Sequence, residues 1–246
     1  MKNAFIFISL LFLALIGKVQ NCVSQQAMFR TYTVKDGLVM NRIRGFYQDA
    51  SGFIWMYTWD GLSRYEGYRF RNYITGKELS HGLINDMIEF PVGTIHIALN
   101  DGTIEQIRNL EVQKKNQLKG PTFNSFYHDD SGNIIAGTDS GGVYHFQQNR
   151  WESLPALKNE KNIFAITQQD GLYYILGSKS ITIVNSNDLN DIHILSKFTH
   201  AYDYFTCLYK DLHGNILVGT IAGLKEIKFD KNRPENIELS LPDFIP

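Results

Sequence analysis

Five short polar turns and connections in this chain carry side chains suited to holding a ligand. Trp59-Asp60, Asn100-Asp101, Asp139 and Lys179 follow apolar runs, and His81 lies in a longer connection. An exposed indole face stacks on the C–H groups of a sugar, and neighbouring carboxylates and carboxamides accept its hydroxyl donors. The chemistry these residues point to is therefore recognition of an oligosaccharide. In the competing reading Trp59 packs between structural units and binds nothing.

Bond-making chemistry finds no comparable set. The histidines at 81, 96, 128, 145, 193, 200 and 213 form neither an HxH nor an HExxH arrangement, so no metal site is expected. His128-Asp129-Asp130 and Asp211-Leu212-His213 occupy equivalent turns and read as turn residues. A sialidase-type Asp box would place Ser and Asp four and two residues before its glycine. Gln48 and Ala50 stand there before Gly52, and His128 and Asp130 before Gly132. Nucleophile elbows and phosphate loops are absent as well. The expectation is a binding protein with no catalytic residues and no cofactor. A lyase or glycoside hydrolase, the alternative, would need a pair of carboxylates ~5–10 Å apart.

The candidate turns must be held by a repeating scaffold. Five copies of one pattern are anchored on Gly52, Gly93, Gly132, Gly171 and Gly214, with gaps of 41, 39, 39 and 43 residues. A period near 40 made of short apolar runs and tight turns is that of a propeller blade. In the first copy, strands are expected over 43–48, 53–58, 62–65 and 68–73, each followed by a turn such as Asp49-Ala50-Ser51-Gly52. The second of these, Phe53 to Thr58, is almost wholly apolar, as a strand buried on both faces should be. The fold expected is all-β: a propeller of four-stranded antiparallel blades, about five in number. In such a fold the second-to-third-strand turns gather on one face around the axis. Gly137, Gly177 and Gly219 end second strands and are expected to let inner strands of neighbouring blades approach closely. Phe29 to Val34 resembles the outer strand at 70–73 and is expected to close the ring by pairing with the last blade, covering a sheet edge.

The ends and the composition set the compartment and exclude some partners. Lys2 precedes the apolar run Ala4 to Gly17, which is shorter than the ~20 residues a spanning helix needs. This reads as a signal peptide over 1–24, with Cys22 and Ser24 as the small residues before the cut. A retained N-terminal anchor is the alternative. The domain proper is then 25–246, exported to the periplasm. Its sole cysteine, Cys207, lies in the apolar run YFTCLY and is expected to be buried and inert. With 24 basic and 25 acidic residues, the chain offers no charge excess for nucleic acid. Its aromatic share of 13% suits pleated surfaces first.

The first copy carries a sharper signal. Gln48-Asp49, Gly52, Ile54-Trp55, Thr58, Gly61-Leu62, Arg64-Tyr65, Phe70 and Tyr73 resemble the two-component regulator propeller repeat. The preceding Tyr32-Thr33, Asp36-Gly37-Leu38 and Asn41 resemble the usual lead-in to its first blade. The later copies are degenerate and match mainly by spacing over 28–230. The resemblance implies a non-catalytic extracytoplasmic sensor of a two-component signal transduction system, with glycan breakdown products as ligands. In that family a membrane span and a cytoplasmic histidine kinase follow, and each propeller usually has seven blades. This chain carries five copies and reaches Pro246 with neither. A truncated or N-terminal piece of such a sensor is therefore expected. An open set of five blades would expose two sheet faces and would seek a propeller or kinase-sensor partner chain. A structural interaction module is the third reading.

Overall fold

The computed structural model describes residues 29–113, 118–119, 121–140, 142–148, 150–185, 189, 191–199, 204–234 and 236–242. The expected signal peptide lies outside them. The chain forms the expected all-β propeller of five blades, each an antiparallel sheet whose strands pair in chain order. Blade 1 consists of β1 (Gly45–Gln48), β2 (Ile54–Tyr57), β3 (Gly61–Tyr65) and β4 (Phe70–Ile74). Blade 2 has β5 (Ile84–Glu89), β6 (Thr94–Leu99), β7 (Thr103–Arg108) and a divided outer strand, β8 (Glu111–Val112) and β9 (Leu118–Lys119), both paired with β7. Blade 3 is β10 (Phe123–His128), β11 (Ile134–Thr138), β12 (Val143–Gln147) and β13 (Arg150–Ser153). Blade 4 is β14 (Ile163–Gln169), β15 (Leu172–Gly177), β16 (Ser180–Asn185) and β17 (His193–Thr199). Blade 5 is β18 (Phe205–Lys210), β19 (Ile216–Thr220), β20 (Gly223–Phe229) and β21 (Ile237–Ser240).

One aspartate builds the first turn in blades 1, 3 and 5. Asp49 Oδ1 accepts the N–H groups of Ser51 and Phe53 at 3.0 and 2.9 Å. Asp129 does the same for Ser131 and Asn133, and Asp211 for His213 and Asn215. The glycine three residues after each aspartate has φ of +85, +88 and +87°, a conformation that costs any other L-residue energy.

The core is a set of slabs between consecutive blades. Trp55, Tyr73, Met87 and Ile97 fill the first, between blades 1 and 2. Ala98, Ile104, Phe123 and Ala136 fill the second, and Ile135, Leu157, Ile166 and Tyr173 the third. Tyr174, Leu176, Phe205 and Val218 fill the fourth. The second strands of blades 2, 3, 4 and 5 are buried along their whole length. Among the described residues no comparable cluster joins blade 5 to blade 1, and the series stays open.

Polar bonds stitch the inner strands together. Arg44 donates to Asn85 Oδ1 at 3.4 Å, and Asn85 donates to the Phe123 carbonyl at 3.0 Å, linking three blades. Beside it, half-buried Asp86 accepts from the Tyr57 hydroxyl at 3.4 Å and from Phe126 N–H at 2.7 Å. Burial raises the Asp86 carboxyl to about 6, against the hydrogen bonds that favour its charge.

Three expectations are corrected. Residues 29–33 form no strand, and Phe29 is 94% exposed. The lead-in instead makes a 3-10 turn at Val34–Asp36, closed by a reciprocal Thr33–Asp36 capping box and by Val34 N–H donating to Asn41 Oδ1. Gly37 and Val39 then bind the outward face of blade 1 through Asn72 and the Ser63 hydroxyl. Cys207 is exposed, because it faces away from blade 4 and no blade covers that side. Of the second-strand glycines, only Gly137 has the close approach across blades, where a Cβ would strike Ile163 of β14. At Gly177 and Gly219 a Cβ would first meet Ser180 and Cys207, within the same blade.

Candidate functional site

The second-to-third-strand turns are tied by their backbones to the connections between blades. Asn100 N–H donates to the Leu83 carbonyl at 2.9 Å, and Asn100 C=O accepts from the Thr122 hydroxyl at 3.4 Å. Asp139 N–H donates to the Thr122 carbonyl, and Asn162 N–H donates to the Asp139 carbonyl at 2.7 Å. Phe205 N–H donates to the Ser178 carbonyl at 3.1 Å. Each turn thus holds the segment that leads into the next blade. Backbone polar groups of these turns are used in this stitching.

The seven candidate residues occupy these places. Trp59, Asp60, Asn100, Asp101 and Lys179 are exposed, and His81 and Asp139 are half-buried. Trp59-Asp60 and the His81-Gly82 connection are brought together: a Cβ on Gly82 would strike the Trp59 carbonyl and Asp60 Cα. The Asp60 carbonyl also accepts from the Thr75 hydroxyl at 3.0 Å. Several side-chain acceptors are already engaged locally. His81 Nδ1 takes Leu83 N–H at 3.3 Å, Asp101 Oδ1 takes Thr103 N–H at 3.0 Å, and Asp139 Oδ1 takes the Ser140 hydroxyl at 3.0 Å.

Trp59 does not pack between blades. Its ring is 46% exposed and lies beneath the Arg42 guanidinium, 4.6 Å from the ring centre. A matching pair forms at the other end of the series, where Lys179 Nζ sits 4.7 Å from the centre of the half-exposed Tyr204 ring. Such pairs fix a ring's orientation and add a cation beside it. Sequence reasoning missed Arg42 and Tyr204. Both belong to connections that lead into a first strand, and nothing in their local sequence announces that the connection lies against a turn from elsewhere.

The opposite face carries a smaller feature, a cleft of about 190 Å³ between blades 1 and 2, lined by Asp49, Ser51, Arg64 and Glu89 among others. None of the seven candidates lines it. Arg64 is 8% exposed there, 3.6 Å from Asp49 and 2.9 Å from Glu66, with its guanidinium over the Phe53 ring. Its charge is paired within the blade, while its buried Nε makes no hydrogen bond.

No family model and no curated protein sequence matches the chain. Solved structures do. The extracellular domain assigned to the hybrid two-component system BT3049 of B. thetaiotaomicron aligns with a TM-score of 0.68 at 22% identity, covering 86% of this chain and 32% of that one. The corresponding domain of BT4673 from the same organism aligns with a TM-score of 0.62 at 18% identity, covering 84% and 30%. The C-terminal WD40 domain of Sif2 reaches 0.61 at 12% identity, covering 81% and 59%. At these identities the likeness is one of fold. The chain spans about a third of the length of the two extracellular domains.

Proposed function

We propose that this propeller is a non-catalytic, extracytoplasmic sensing domain of a two-component signal transduction system, and that its second-to-third-strand-turn face binds a glycan-derived ligand. The observation that carries the reading is the exposed Trp59 ring, oriented by Arg42 and set beside Asp60 and His81 on a turn whose backbone is already committed to the next blade. A pre-oriented aromatic platform beside hydroxyl acceptors is what a sugar needs. Asn100, Asp101, Asp139 and Lys179, on equivalent turns of later blades, extend the surface that a linear oligosaccharide would cross. Support also comes from the two similar extracellular domains of two-component systems, and from the absence of a helix long and apolar enough to cross a membrane among the described residues. An exported, periplasmic location belongs to the same reading.

The physical route to signalling follows from the stitching. A ligand that bridges turns of different blades alters the spacing of the connections those turns hold, and so the angle between blades. The test is a titration of the full chain with a panel of oligosaccharides, followed by tryptophan fluorescence. Of the three tryptophans, Trp55 is buried and Trp151 is half-buried against the slab between blades 2 and 3, so the exposed Trp59 supplies the ligand-sensitive signal. Saturable quenching that Asp60→Asn weakens, together with loss of calorimetric binding in Trp59→Ala and an unchanged thermal melt in both, supports the reading. Binding that Trp59→Ala and Asp60→Asn leave intact moves the site off this face, and release of a shortened sugar during the titration overturns the non-catalytic assignment.

A further inference from the structure

A tyrosine two residues before the turn aspartate recurs in blades 1, 3 and 5: Tyr47, Tyr127 and Tyr209. In the first two it locks one blade to the next. The Tyr47 hydroxyl accepts Glu89 N–H at 3.0 Å, and the Tyr127 hydroxyl accepts Gln168 N–H at 2.9 Å. A return bond completes each joint. The side chain of that same Glu89 accepts Ala50 N–H, and the side chain of Gln168 accepts Asp130 N–H at 3.1 Å. The residue before the tyrosine faces the other way. Phe126, before Tyr127, packs into the slab against blade 2.

Blade 5 has this donor half with nothing on it. Tyr209 points away from blade 4 and is 61% exposed, and Leu212, equivalent to Ala50 and Asp130, is 99% exposed. Blade 1 has the receiving half, where the Gln48 side-chain amide donates to the Gly52 carbonyl at 3.2 Å and no other blade is in contact among the described residues. Gln48 pairs across its hairpin with Ile54 as Glu89 does with Ile95 and Gln168 with Tyr173, so it is the residue equivalent to both. The alternation of an antiparallel ladder turns its N–H off the strand edge. Phe46, equivalent to Phe126, is 67% exposed.

We propose that these two ends are complementary halves of one blade-to-blade joint, and that a second copy of this chain fills it head to tail. The Tyr209 hydroxyl of one copy accepts Gln48 N–H of the next, the Gln48 side-chain oxygen accepts Leu212 N–H, and Phe46 is buried against blade 5. The contact uses two different surfaces, so it either closes into a ring of copies or continues. The lead-in at Gly37–Val39 bonds to Ser63 and Asn72 on the third and fourth strands of the same face, so the second copy seats on the first-strand side of it, where Phe46 is exposed.

Light scattering of the full chain over a hundredfold concentration range tests this. The mass is expected to rise above 28.2 kDa in whole multiples as concentration increases. Tyr209→Phe and Phe46→Ser each change an exposed side chain, and each should weaken association at least tenfold with an unchanged melt. Mixing the two variants should restore a dimer and nothing larger, since each keeps one good end. A monomer at every concentration overturns the proposal, as does association that either variant leaves unweakened. Failure of the mixture to pair would show a symmetric contact and overturn the head-to-tail assignment. None of these outcomes depends on a glycan.

Discussion

Tyr127 and Tyr209 sit at the same step of the same strand in neighbouring odd blades, and their fates differ completely. The first is tucked into the joint between blades 3 and 4 and accepts a backbone N–H there; the second faces open solvent. Trp55 and Phe46 make the same contrast in blade 1, at 2% and 67% exposure on its covered and bare faces. At these positions burial follows the joint, although Met56 beside Phe46 and Leu217 beside Tyr209 are 7% and 6% exposed. The two ends are also finished differently. Blade 1 has its outer strands covered by the lead-in, through Val39 N–H on the Ser63 hydroxyl and Asn72 on the Gly37 carbonyl, whereas blade 5 carries no such cover among the described residues.

The contrast can be broken most strongly at its interior side. Trp55→Ala removes a fully buried ring and the indole N–H bond to Asp49, and should cost about 3–5 kcal/mol by urea unfolding. Phe46→Ala on the same blade should stay within about 0.5 kcal/mol at concentrations where the chain is a monomer. Equal losses at the two sites would mean that the bare face is covered in solution.

Asp86 gives a pH signature of the axial joint. Its folded pKa of about 6 lies above the ordinary 3.8, so the folded state holds a proton that the unfolded chain has released. Stability from this group is present at low pH and is lost as pH rises from about 4 to 6, by on the order of 3 kcal/mol. Subtracting the melting curve of Asp86→Asn from that of the wild type across pH 4–7 should isolate that slope. A difference that does not change with pH would remove Asp86 from the titrating groups.

Smaller effects sharpen the comparison. Tyr47→Phe and Tyr127→Phe each strand an inner-strand N–H and should cost about 1–3 kcal/mol. Tyr209→Phe, with no partner to lose in the monomer, should fall within about 0.5 kcal/mol. Trp59→Ala should be as mild for stability, while abolishing ligand binding read by calorimetry.

The repeat spacing made the blade grammar legible, helped by the first hairpins of blades 1, 3 and 5, which Asp49, Asp129 and Asp211 and their glycines specify locally. What escaped the sequence depends on neighbours. Cys207 looks like a core residue in YFTCLY, yet whether it is buried is decided by a blade that would lie beyond it. Phe29 to Val34 alternates like β4, but alternation alone supplies no partner strand, and the Thr33–Asp36 box captured part of the segment first. The turn residues of the candidate site were readable as turns. Their cationic partner Arg42 and aromatic partner Tyr204 were not, since those pairings join a connection to a turn that local sequence does not link.

Amide hydrogen exchange, read at Glu89, Gln168 and Gln48 in a dilute monomeric sample, addresses the open series of joints most directly. The account predicts slow exchange at Glu89 and Gln168, whose N–H groups are held by tyrosines, and fast exchange at Gln48. Protection of Gln48 N–H equal to that of the other two, in a monomer, would mean that blade 5 closes onto blade 1 within one chain, and would contradict it.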